Sequence, residues 1–250
     1  MEDRNILKNS QIIILGVCIA AATVAASLIL SKSMIQIKRL STEVVSVKGS
    51  SERRITSDQI VWRFAYSRRD PIMQTAYQMA DKDREIVHQY LLAQGIREAE
   101  ITFDTLGSEI LYKKNEKGND TNTIEAYKYR QSIEIKSDRV AAVNEVAQKA
   151  GTLISQGVEL EMTNPQYFYT KLPELKLEML EEAAKNAKSR AEKMASATGN
   201  KVGFMRAARM GVFQITPVTS VDVSDWGQND TSSLEKKVMA VVSADFSIIG

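Results

Sequence analysis

The chain has 250 residues, of which 44% are hydrophobic, 26% charged and 6% aromatic, with twelve Gly and four Pro. This profile excludes a wholly disordered, a collagen-like or a polytopic membrane chain, and a single Cys (Cys18) with a single His (His88) excludes a disulfide or zinc scaffold. The formal charge of +2 is unevenly placed, because residues 1–40 carry Arg4, Lys8, Lys32, Lys38 and Arg39 against only Glu2 and Asp3; the near-neutral remainder offers no electrostatic case for a nucleic-acid partner.

Residues 1–10 read as a short tail, and residues 11–31 as a transmembrane anchor or uncleaved signal. Ile12 to Leu30 holds no charge, and a helix rising ~1.5 Å per residue needs about 20 residues to cross a ~30 Å hydrocarbon core. The competing reading is a cleaved signal peptide, since Val24-Ala25-Ala26 approximates a small-residue cleavage site behind the charged start at Arg4 and Lys8. The apolar run outlasts the ~7 to 15 residues usual for such a signal, which favours retention. Val17 before Cys18 is larger than lipoprotein processing prefers, so Cys18 reads as a lipid-facing thiol. Counting Arg4, Lys8 and the terminal amine against Lys32, Lys38 and Arg39 gives a tie, so the positive-inside rule does not orient the span. Residues 32–42 are expected to be a polar, basic juxtamembrane linker.

Residues 43–250 carry the signals of one folded domain. Glu43 to Lys48 predicts a strand ended by Gly49-Ser50-Ser51. Asp58 to Ser67 places Ile60, Trp62, Phe64 and Tyr66 on one face and Gln59, Arg63 and Ser67 on the other, the period of a half-buried strand. Asp70-Pro71 then predicts a helix start, with Ile72, Ala76, Met79/Ala80, Ile86/Val87 and Tyr90/Leu91 on its apolar stripe and Gly95 at its end. Ile101 to Lys113 and Tyr127 to Lys136 predict two strands joined by a hairpin loop at Lys114 to Asn122. Asp138 is expected to cap a second helix carrying Val140, Val143, Val146/Ala147 and Ala150. Val158 to Thr170 reads as a strand interrupted at Asn164-Pro165, hence at an edge, a bulge or a break. A long helix from about Pro173 to Thr198 ends at Gly199, with Leu180, Ala183/Ala184, Ala187, Ala191 and Met194/Ala195 inward. Val202 to Ile215, a long polar loop at Thr216 to Ser233, and an alternating strand from Val238 to Ile248 complete the chain. The fold class expected is α+β, a mainly antiparallel sheet of about seven strands with three helices, preceded by one N-terminal transmembrane helix.

The order of these pieces resembles the SIMPL domain family. The residues that carry the resemblance are VVSVKGSSERRITSD (Val44 to Asp58), LLAQGIREAEITF (Leu91 to Phe103), YKYRQSIEIKSDRV (Tyr127 to Val140), the Ala- and Lys-rich stretch Glu181 to Gly203, and the alternating C-terminal strand. The family is known in bacteria through an envelope surface antigen and in animals through a protein associated with a Pelle-like kinase. The resemblance implies an α+β domain exported behind a signal peptide or single anchor, often oligomeric, with no established enzymatic activity.

Common catalytic and cofactor motifs are absent: there is no GxSxG, GxGxxG, GxxxxGK[ST], HExxH or CxxC. His88 is expected at the surface or rim of the first helix, lacking a partner that would orient it as a base. Glu178, Glu181 and Glu182, and Asp222 and Asp225, read as solvated charges rather than an acid/base pair. Asp222, Asp225, Asn229 and Asp230 supply oxygen ligands without EF-hand spacing. Trp226 is expected to fold back onto the domain, a contact surface being the alternative. Tyr167-Phe168-Tyr169 is expected to serve one buried face and one cross-strand pair. Asn119-Asp120-Thr121 and Asn229-Asp230-Thr231 match the glycosylation pattern, which has meaning only in a eukaryotic secretory pathway.

The expected function is that of a non-catalytic, membrane-anchored extracytoplasmic domain that acts by oligomeric assembly or by binding envelope components in connection with stress. It has no catalytic, cofactor-binding or metal residues and no cofactor. Its expected partners are the membrane, further copies of itself and envelope proteins, and its expected place is the cell membrane as a single-pass protein. The alternatives are a cytoplasm-facing signalling adaptor and an enzyme of unfamiliar type using loop carboxylates.

Overall fold

The computed structural model describes the backbone of residues 2–249 and the side chains of 14–35, 37 and 43–249. In chain order the elements are α1 (Glu2–Thr42), β1 (Val44–Thr56), β2 (Gln59–Asp70), α2 (Met73–Ala93), a 3-10 turn (Glu98–Glu100), β3 (Ile101–Phe103), β4 (Gly107–Lys114), β5 (Asp120–Ser137), α3 (Val140–Lys149), α4 (Thr152–Ser155), β6 (Leu160–Met162), β7 (Gln166–Phe168), α5 (Leu172–Ser196), β8 (Lys201–Met210), β9 (Gln214–Pro217), β10 (Gln228–Asn229) and β11 (Glu235–Ile249). Helices and antiparallel-rich sheets mix as expected, but the described residues form eleven strands in two sheets, and four helices follow α1. The surplus strands arise mainly where the chain bends within a predicted run: at 104–106 between β3 and β4, at 163–165 between β6 and β7, and at 211–213 between β8 and β9. α1 is one continuous helix across the stretches read from sequence as tail, span and linker.

The chain divides into two compact units, Ser51–Glu181 with Val212–Ala240, and Met1–Ser50 with Glu182–Gly211 and Val241–Gly250. In the first unit a six-stranded sheet has the order β3-β5-β2-β6, with β4 also on β5 and β7 also on β2. β2 and β5 pair antiparallel from Ile60 opposite Ser137 to Asp70 opposite Tyr127. The period-two pattern puts Ile60, Trp62, Phe64 and Tyr66 in the core with Ala80, Val87 and Leu91 of α2 and Val143 of α3. β6 and β7 follow one another end to end along the same edge of β2, broken at Asn164-Pro165 as the proline requires.

Two helix starts differ from expectation. Asp70 Oδ1 accepts from the Ile72 N–H at 2.8 Å, a local turn that delays α2 until Met73 and makes Ile72 the N-cap. Asp138 gives its backbone carbonyl, not its side chain, to Val140 N–H, and Arg139 is the N-cap of α3. The helix ends agree with the sequence: Gly95 and Gly199 take positive φ just past α2 and α5, the left-handed closure that glycine permits at least cost.

In the second unit Val47 of β1, Ala187 and Ala191 of α5, and Ala244 and Phe246 of β11 form the core. β1 runs straight through Gly49-Ser50-Ser51, where the sequence predicts its end. The reason is packing: a Cβ on Gly49 would lie 2.1 Å from the Ala183 carbonyl oxygen and 2.3 Å from the Ala187 nitrogen. The glycine therefore lets strand and helix backbones touch, and Ala183, Ala187 and Ala191 are small for the same reason. Met194, expected on that stripe, is exposed.

Candidate functional site

Three surfaces in the described residues carry chemistry. The first is a groove between α2 and β3. A cavity of about 390 Å³ is lined by Asp81, Lys82, Arg84, Glu85, His88, Glu98 and Phe103, and a neighbouring one of about 330 Å³ shares Asp81, Arg84 and Phe103. The Arg84 guanidinium lies 5.2 Å from the centre of the Phe103 ring, and the His88 ring meets the same phenyl edge-on at 5.8 Å. His88 Nε2 is 2.7 Å from Glu98 Oε2, so the orienting carboxylate that the sequence did not reveal lies ten residues downstream in the 3-10 turn. The carboxylate orients the imidazole, and the lining of the two cavities also includes Lys82, Tyr77 and Thr105. Behind it Tyr66 Oη donates to Gln131 Oε1, and Gln131 Nε2 donates to the Asp104 carbonyl at 2.7 Å. Burial, the largest influence, pushes the Tyr66 phenol upward from its ordinary pKa, so it stays a neutral donor.

The second surface is the loop after β9. Trp226 is 94% exposed and Val221 88% exposed, with Val223 beside them in sequence and exposed as well. The tryptophan does not fold back, contrary to the expectation. The loop is nevertheless held in place. Gln214 Nε2 donates to the Ser224 carbonyl at 2.6 Å, and Lys237 Nζ donates to the Ser220 carbonyl at 3.0 Å. Asp222 accepts from Ser220 Oγ at 3.1 Å, and Asp230 accepts from the Ser232 N–H and hydroxyl. No cluster of three or more His, Cys, Asp or Glu residues suited to a metal occurs among the described residues. Of the α5 carboxylates, Glu178 pairs with Arg53 at 2.6 Å.

The third surface is β8. Among the described residues it pairs with β11 alone, antiparallel from Met210 opposite Val242 to Lys201 opposite Ile249. Eight of its ten residues are exposed, on both faces, including Phe204 at 79%, Met205 and Met210. Neither Arg206 nor Arg209 makes an ion pair in the described residues.

Among known families, the model of SIMPL, described as a protein of unknown function (DUF541), matches residues 45–246. The chain belongs to the SIMPL family. No curated protein matches it. Within the SIMPL domain two buried charges escaped the sequence reading. Asp83 occupies the inward stripe of α2 and is only 2% exposed; Arg68 of β2 holds it through Nε at 2.5 Å and Nη2 at 2.9 Å, and donates to the Gly157 carbonyl as well. Lys236 of β11, equally buried, places Nζ at 2.5 Å from both the Tyr167 and the Asp230 carbonyls, and burial lowers its pKa. The Tyr167 hydroxyl donates to Asn144 Oδ1 at 2.7 Å, and its backbone lies opposite Ile60. These groups fasten SIMPL elements together. Ahead of the matched region, Ile14–Ile35 forms 22 residues of α1 with mean hydropathy 2.3 and nothing buried, long and apolar enough to span a membrane at ~1.5 Å per residue.

Proposed function

We propose that this SIMPL protein is a single-pass, membrane-anchored protein whose domain stands outside the cytoplasm and works by assembling with further copies or binding envelope components, without catalysis. The observation that carries the reading is the apolar segment Ile14–Ile35, wholly exposed although soluble folds bury helices of this hydropathy. Its support within the domain is apolar surface held out to solvent at Trp226, Val221 and Phe204, which marks interaction sites more often than chemistry.

The test is alkaline extraction of membranes from cells that make the tagged full chain, with the mass of the product recorded. Retention in the washed membrane at a mass that includes α1 is the expected result. Release into the soluble fraction, or a product shortened by the length of α1, contradicts the anchor.

A further inference from the structure

We propose that copies of this chain join through two different surfaces, β8 of one copy receiving the 218–227 loop of another. This rests on the assembly reading above and names the surfaces that would carry it.

β8 needs a cover. A strand gains little from one partner when both of its faces and its outer edge stay in water, yet Phe204, Met205 and Met210 are all exposed on this one. An uncovered ten-residue edge is also an aggregation hazard unless a defined partner occupies it.

Charge decides which partner. Lys201 to Met210 contains Lys201, Arg206 and Arg209 and no acidic residue; Val218 to Gly227 contains Asp222 and Asp225 and no basic one. None of these five charges has an ion pair among the described residues. A symmetric pairing of β8 with its own copy would oppose basic residues with basic residues, which is costly across an interface. The loop brings the opposite sign together with its own exposed Val221, Val223 and Trp226. Its clamps at Ser220 and Ser224 hold these side chains out in advance, which reduces the ordering cost of binding. Because the two surfaces differ, every copy carries both halves of the contact.

The test uses the full chain in its membrane with Cys18→Ser, made as two differently tagged forms, one carrying Phe204→Cys and the other Trp226→Cys, under mild oxidation. The expected result is a disulfide-linked dimer from the mixture, well above that from either form alone. Equal linking by one form alone overturns the proposal in favour of a symmetric contact, and no linking in any combination overturns it too. Labelling of Trp226→Cys by a bilayer-confined thiol reagent would assign the loop to the membrane and likewise overturn it. In a second arm, the size of the detergent-solubilised full chain is measured across concentration. Asp222→Lys with Asp225→Lys is expected to reduce the assembled fraction at least about tenfold, the scale of placing like charges across an interface. Arg206→Glu with Arg209→Glu in the same chain is expected to restore it. Assembly that survives the first reversal overturns this pairing while leaving the assembly reading intact; a wild-type chain that is monomeric throughout overturns both.

Discussion

Gln214 grips Ser224 with both ends of its side-chain amide, Nε2 donating to the carbonyl at 2.6 Å and Oε1 accepting from the N–H at 3.4 Å. The glutamine is buried, so its amide has no water to replace a lost partner. Gln214→Ala is expected to cost about 1–3 kcal/mol and to raise amide exchange across 218–227, with exchange in β2 and β5 unchanged. Hydrogen-exchange mass spectrometry checks this; an unchanged loop would show that the loop is ordered by something else.

Asp83 is buried and pairs with the half-buried Arg68 between α2 and β2. Removing Arg68 strands a carboxylate that is only 2% exposed, which costs about 3–5 kcal/mol, whereas removing both partners leaves a site that apolar side chains can fill. Arg68→Met is therefore expected to destabilise the domain by about that amount, and Asp83→Leu combined with Arg68→Met by less. Denaturant unfolding of the single and double variants measures the difference; a double variant as unstable as the sum of the singles contradicts this account.

Glu100 sets an acid limb. Burial opposes its ionisation, but hydrogen bonds from Arg139, the Arg97 N–H and the Ser137 hydroxyl, together with the Arg139 charge, outweigh burial and hold its pKa at about 2 against the ordinary 4.5. A depressed folded pKa means that the unfolded chain binds the proton more readily, so the contribution is fully present above about pH 4.5 and is lost as pH falls toward about 2. Glu100→Gln is expected to flatten stability over that window. Thermal melts between pH 2 and pH 5, about the range set by these two pKa values, provide the check, and parallel curves for the two proteins would refute the assignment.

Gly49 is required by contact rather than by a turn. Gly49→Ala forces the new methyl into the Ala183 carbonyl and the Ala187 nitrogen, backbone that cannot swing aside, and the expected loss is about 3 kcal/mol or more. Gly151→Ala is the control: nothing lies within 4 Å of its added Cβ and φ is −55°, so a change within about 1 kcal/mol, slightly stabilising, is expected. Equal effects at the two sites in urea unfolding would contradict the packing argument.

These cases separate what the sequence discloses from what it hides. Ile60, Trp62, Phe64 and Tyr66 alternate, and Ala76, Ala80, Val87 and Leu91 recur at helical spacing, so β2 and α2 are legible from local periodicity. Asp83 falls on the helical stripe, but its partner Arg68 is on the preceding strand β2, and nothing local says that the charge is paired. Gly49 looks like a strand terminator because the helix that needs it comes some 130 residues later. The clamp on the Trp226 loop and the Glu98 partner of His88 lie only ten residues away, but each crosses a turn whose path local periodicity does not give. The apolar run in α1 needs no partner to be read, which is why a helix long and apolar enough to span a membrane is the feature most open to sequence.

The most direct test of the central claim is sidedness. A tag placed after Gly250 in the full chain is exposed to protease in intact cells or spheroplasts, with a cytoplasmic protein as control. The account predicts that the tag is cleaved while the control survives. A tag protected until the membrane is broken would place the SIMPL domain in the cytoplasm and contradict the account.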